Sequence, residues 1–187
     1  SKCPHLSINQ TKSCHFFRKT NLGLQFDNTL IKQKNKMDLK NYTTKAQEII
    51  QKSVEIATEN GQQIIEKGHL LKAILIEDDN IFQYLLNSST ERKVELNQKL
   101  DTIIQNYPIV SGGNTQPYLS NELNQTLAQA QILIKEFGDQ YIAVEILFLS
   151  LFAGNDKVAA LLKSISTEKQ SKQSIKALRG NNTVKDQ

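Results

Sequence analysis

The side chains with the chemistry to bind a metal lie close together near the start of the chain. Cys3, His5, Cys14 and His15 offer thiolate and imidazole, the usual ligands of zinc. Their C-x-H and C-H spacings match none of the common finger patterns, so a zinc site there competes with a plain extension. From Met37 onward there is no cysteine and a single histidine, His69, which removes Cys/His nucleophilic catalysis and a His-rich metal centre from that part. His69 stands beside Leu70, Leu71 and Ile74 and reads as a helix-start or packing residue. A phosphate-cradling loop needs glycine amides with Lys and Ser/Thr in the order G-x-x-x-x-G-K-[ST]; no such run occurs, so these residues cannot hydrolyse ATP by themselves. Carboxylates are plentiful, yet no pair has the setting of an acid and a base. The chain is read as a non-enzymatic, all-α module without a cofactor of its own.

The elements that would position any site are helical. Thr43 or Thr44 can cap a first helix, with Gln47 three residues after Thr44, and Ala46, Ile49, Ile50, Val54 and Ala57 fall at helical spacing. Asn60-Gly61 stops it. Apolar runs over His69 to Ile76 and Ile81 to Leu86 predict two short helices around the acidic turn Glu77-Asp78-Asp79. A fourth helix begins at Thr90 and carries Val94, Leu100, Ile103 and Ile104. Strands are marginal at most, because no segment alternates cleanly. Tyr141 to Ala153, the longest apolar stretch, contains Glu145 and falls short of the ~20 residues that span a bilayer.

The formal charge of +4 divides unevenly. Residues 1 to 36 hold seven basic side chains and one acidic, whereas residues 37 to 187 have a net charge of −2. A mildly acidic globular part lacks the phosphate-seeking term of nucleic-acid binding, so neither nucleic acid nor membrane is expected as a partner. The only Met is Met37, which suggests the natural start there and makes residues 1 to 36 a disordered basic extension. A transit peptide is the alternative, in which case the location is organellar; otherwise it is cytoplasmic. No apolar h-region of a secretory signal is present.

Sliding the chain against itself by 77 positions aligns Thr44 to Glu91 with Asn121 to Glu168 without a gap. Ten positions are identical, including Gly61/Gly138, Ile65/Ile142, Leu70/Leu147 and Leu85/Leu162, where average composition predicts about three. The unit is therefore a duplicated four-helix bundle. Its halves are joined by Pro108 to Leu119, and each would leave an apolar stripe uncovered alone, so two pseudo-symmetric halves should share one core over residues 37 to 180.

A duplicated unit with Gly61, Ile65-Glu66 and His69-Leu70-Leu71-Lys72-Ala73-Ile74-Leu75 resembles the Clp repeat domain. Met37-Asp38-Leu39 with Thr43, Val110-Ser111-Gly112-Gly113 with Pro117-Tyr118-Leu119-Ser120, and Leu178-Arg179-Gly180 before Val184 narrow the likeness to the N-terminal domains of ClpB-type disaggregases. Lys67-Gly68 departs from the family, which often has Pro after the first-repeat Glu, and this puts the rigidity of that turn in question. The resemblance implies engagement of unfolded or aggregated polypeptide, with residues 181 to 187 beginning a linker towards an AAA+ module. ATP and magnesium would act in that module, in a homo-hexamer working with a DnaK-type chaperone, while the isolated domain would be monomeric. Protease-coupled ClpA/ClpC-type unfoldases and stand-alone Clp-repeat adaptors are the alternatives. By the same resemblance Thr43, Asp139 and Glu145 form a polar patch. Leu133 and Ile146 would line an adjacent apolar groove, with Gln129 where the family can carry Leu. Read from the residues alone, Thr43 is a helix cap, Glu145 a favourable charge at a helix start, and Leu133 and Ile146 core.

Overall fold

The computed structural model describes residues 39–78, 81, 84–85, 90–109, 116–180 and 182–185. The basic extension and its Cys/His group, like Gly112-Gly113, lie outside the described residues. After a short turn at Leu39–Asn41, seven α-helices follow among the described residues: α1 (Thr44–Glu59), α2 (Lys67–Glu77), α3 (Thr90–Gln105), α4 (Asn121–Phe137), α5 (Val144–Ser150), α6 (Lys157–Ile165) and α7 (Glu168–Arg179). Ile81, Tyr84 and Leu85 also have helical backbone, at the positions that α6 occupies in the second repeat.

Local chemistry sets the ends of these helices. The α1 cap is Thr43, whose Oγ1 accepts from the Ala46 amide; Gln47 donates instead to the Tyr42 carbonyl. Its repeat counterpart Ser120 caps α4 in the same way through the Leu123 amide. Gly61 and Gly138, at φ 67° and 71°, turn the chain out of α1 and α4 in a left-handed conformation that a side chain would strain. Asp156 caps α6 through the Val158 and Ala159 amides.

The halves exchange short extended segments across their pseudo-twofold. Ile64–Ile65 (β1) pairs in parallel with Tyr118–Leu119 (β2), so Ile65 faces Leu119. The related pair, Ile142 with Tyr42, forms the matching bridge. The Ser120 amide donates to the Ile65 carbonyl at 2.9 Å and the Thr43 amide to the Ile142 carbonyl at 3.0 Å. Each repeat thus anchors the entry of the other repeat's first helix, and one continuous apolar core runs through both. α1 packs on α2 and α5, α3 on α6, and α5 on α4 and α7.

Helical spacing misplaces two residues of the core. On α3, Val94 is exposed and Leu96 is buried with Leu100 and Ile104, while Ile103 is only partly covered. α2 begins two residues before the expected start, because Lys67 and Gly68 find partners across the domain.

Candidate functional site

The loop from Gly138 to Ala143 and the end of α7 bring the expected polar residues together around one guanidinium. Arg179 Nη1 donates to Asp139 Oδ2 at 2.6 Å, and its Nε and Nη2 donate to Glu145 Oε1 at 2.9 and 2.7 Å. The Asp139 side chain is fully enclosed and Glu145 remains 30% exposed, so the first is closed to solvent and the second faces outward. Asp139 Oδ1 accepts from the Val184 amide, and the Gln140 amide donates to the Val184 carbonyl. Residues 182–185 are thus tied to the domain, and the linker expected from position 181 starts with a fastened segment. Arg179 and Lys176 also stand over the Phe137 ring, at 5.7 and 5.5 Å from its centre.

Thr43 lies next to this loop through its backbone bond to Ile142, and its half-buried hydroxyl caps α1. The Thr43 hydroxyl accepts from the Ala46 amide and lies 3.4 Å from the Ile142 carbonyl, and among the described residues its hydrogen bonds do not reach Asp139 or Glu145.

Leu133 and Ile146 require a correction. They are 2% and 0% exposed, packed in the shared core, with no free surface for a ligand. Gln129 is half-buried on α4. An apolar depression does lie beside the polar group, in a different place. A groove of about 180 Å³ is lined by Ile81, Tyr84, Leu85, Ile175 and Leu178, with Glu145, Arg179 and Asp78 at its edge. Tyr84 and Leu178 are more than half exposed. Ile175, Leu178 and Arg179 at i, i+3 and i+4 mark one face of α7, which is the sequence signal for half of the groove. Its other half comes from residues some 90 positions away.

The first repeat has Gln62 and Gly68 at the positions related to Asp139 and Glu145. His69 is fully buried; its Nδ1 accepts from the Glu66 amide at 2.9 Å and its Nε2–H donates to Gln62 Oε1 at 2.7 Å. Burial pushes the imidazole down to about 4, so the ring is neutral at pH 7. His69 is a packing and helix-start residue, as its neighbours predict. Burial likewise raises the Glu66 carboxyl, against a hydrogen bond with Ser120. Lys67, also buried, donates to the Ala153 carbonyl and to Asp156 Oδ2, and the Gly68 amide donates to Tyr107 Oη. The turn that lacks proline is thus fixed by these contacts. Burial raises the Asp156 carboxyl, but Lys67 and the Ala159 amide outweigh it and leave the group below the ordinary carboxylate range.

The fold is that of an all-α, duplicated-repeat domain. The Clp repeat (R) N-terminal domain model matches residues 41–165, and the chain belongs to that family. Its curated relatives are N-terminal regions of ClpB chaperones. That of Porphyromonas gingivalis is 35% identical over 152 residues, 81% of this chain and 17% of that protein. That of Synechococcus elongatus is 37% identical over 148 residues, 78% of this chain and again 17% of the relative. The chain thus spans about a sixth of the length of these relatives. The Hsp104 N-terminal domain of Candida albicans shares the fold with a TM-score of 0.67 at 16% identity, over 78% of this chain and 96% of that one. The ClpD N-terminal domain of Arabidopsis thaliana does so with 0.58 at 19%, over 77% and 98%.

Proposed function

We propose that this domain recruits unfolded or aggregated polypeptide for a ClpB-type disaggregase. The observation that carries the reading is the groove of Ile81, Tyr84, Leu85, Ile175 and Leu178 beside the Arg179–Glu145 pair. It offers partly exposed apolar side chains on a rigid bundle, which suits a side chain exposed by unfolding. Each docked apolar side chain contributes ~1.5–3 kcal/mol before ordering costs, so one domain binds weakly. Several copies on a hexameric ring would supply the missing affinity through effective concentration. ATP, magnesium and cooperation with a DnaK-type chaperone belong, in this reading, to modules outside these residues.

The ClpB identities of 32–37% support this reading over a protease-coupled one, since likeness to ClpD rests on fold alone. The test is binding of a permanently unfolded chain, reduced and carboxymethylated lactalbumin, to the protein and to a Tyr84→Ser/Leu178→Ser variant. Both side chains are already exposed, so the fold persists, and affinity is expected to fall about ten-fold. Equal binding by the two proteins would remove the groove from the site.

A further inference from the structure

Asp139 and Gln62 are related by the 77-residue repeat, and Val184 and Tyr107 lie at the same offset beyond its aligned span. In the first repeat, Gln62 Nε2 donates to the Ile104 and Tyr107 carbonyls at 2.6 and 3.4 Å, and the Tyr107 ring lies tilted against His69 and its hydroxyl accepts from the Gly68 amide. The segment leaving α3 is therefore fastened by neutral amides and by an aromatic ring. The segment leaving α7 sits on the equivalent position with different chemistry. Its amide, that of Val184, is held by a buried carboxylate, and the half-buried Val184 has no hydroxyl to add an anchor. Among the described residues Arg179 is the cation that balances that carboxylate, and the other side of the guanidinium is held by Glu145 at the groove's edge.

We propose that Asp139 and Arg179 form a releasable latch that holds residues 182–185 on the domain, and that Glu145 links the latch to the groove. When Arg179 shifts with Glu145 towards a bound chain, Asp139 loses its counter-charge and the Val184 strap comes away. Release of four residues lengthens the tether by about 13 Å at ~3.3 Å per residue, enough to change how far the domain reaches. The link to the groove rests on the function proposed above; the latch itself does not. Removing one partner of a buried ion pair leaves an uncompensated buried charge, which disfavours a closed Asp139 without Arg179.

Amide exchange by NMR on the whole chain tests this. In Arg179→Gln, the Val184 and Gln140 amides are expected to exchange at least ten-fold faster while α1 amides are unchanged. Asp139→Ala/Arg179→Gln leaves no unpaired buried charge and should show the same local release in a folded protein. Unchanged Val184 protection in both variants overturns the latch, and so does equal acceleration throughout α1, since strap and fold would then open as one. Adding reduced, carboxymethylated lactalbumin should shift Tyr84 and Leu178 signals and speed Val184 exchange several-fold. Shifts in the groove with Val184 unaltered overturn the link while leaving the binding reading intact. Absence of any groove shift overturns the link together with that reading, and the two variants then decide the latch.

Discussion

Lys67 Nζ lies 2.6 Å from Asp156 Oδ2, joining the first turn of α2 in one repeat to the cap of α6 in the other. The lysine side chain is 3% exposed and the aspartate 25%, and this difference makes the two ends of the pair unequal. Asp156→Ala strands a buried ammonium and also removes the cap, and should cost about 3–5 kcal/mol. Lys67→Met leaves a partly hydrated carboxylate still bonded to two amides, and should cost about 1–2 kcal/mol. Urea unfolding of both variants measures the order; a larger loss in Lys67→Met would contradict this account of the pair.

His69 gives the fold a defined pH dependence. Its folded value of about 4 lies below the 6.5 of a free imidazole, so the unfolded chain takes up the proton first. The stability due to the neutral ring is complete above pH 6.5 and is lost as pH falls towards 4, by on the order of 3 kcal/mol. Histidine NMR titration reads this directly, and a His69 signal with its midpoint near 6.5 would contradict it. The pH dependence in that window should be weaker in His69→Asn.

Gly68 is required by a close approach. A Cβ there would lie 2.7 Å from Tyr107 Oη and 3.0 Å from the Tyr107 ring. Gly68→Ala is expected to destabilise by about 1–3 kcal/mol despite its better helix propensity. Tyr107→Phe removes the nearest atom and leaves the ring, so the double variant should recover part of the loss in a thermodynamic cycle. Full additivity of the two changes would mean that the contact is not the cause.

Leu133→Asp and Ile146→Asp place a charge in the core, and both should abolish cooperative unfolding. Circular dichroism on heating checks this. If either variant keeps its melting temperature, that site is open to water. Loss of peptide binding in these two variants would therefore report unfolding, whereas Tyr84→Ser and Leu178→Ser probe the surface itself.

Much of the architecture could be read along the chain. Thr43, Gly61, Gly138 and the apolar spacing of α1 and α4 act through neighbours within a turn, so they mark helix ends and inner faces without reference to the rest of the molecule. The 77-residue repeat likewise survives in the sequence, because both halves solve the same packing problem. Asp139 and Glu145 were legible only through resemblance, and their shared partner Arg179 was not legible as such, since it stands 40 and 34 positions away.

The sequence by itself determined the helical class, the duplication and the family. Only the tertiary structure decided which apolar residues stay exposed: Leu133 and Ile146 are buried in the core, whereas Leu178 is 55% exposed. It also decided that Val184 is fastened, because a hydrogen bond to a buried carboxylate depends on how α7 and the Asp139 loop meet in space. Local pattern reports one surface of each helix; what covers that surface is a property of the assembled core.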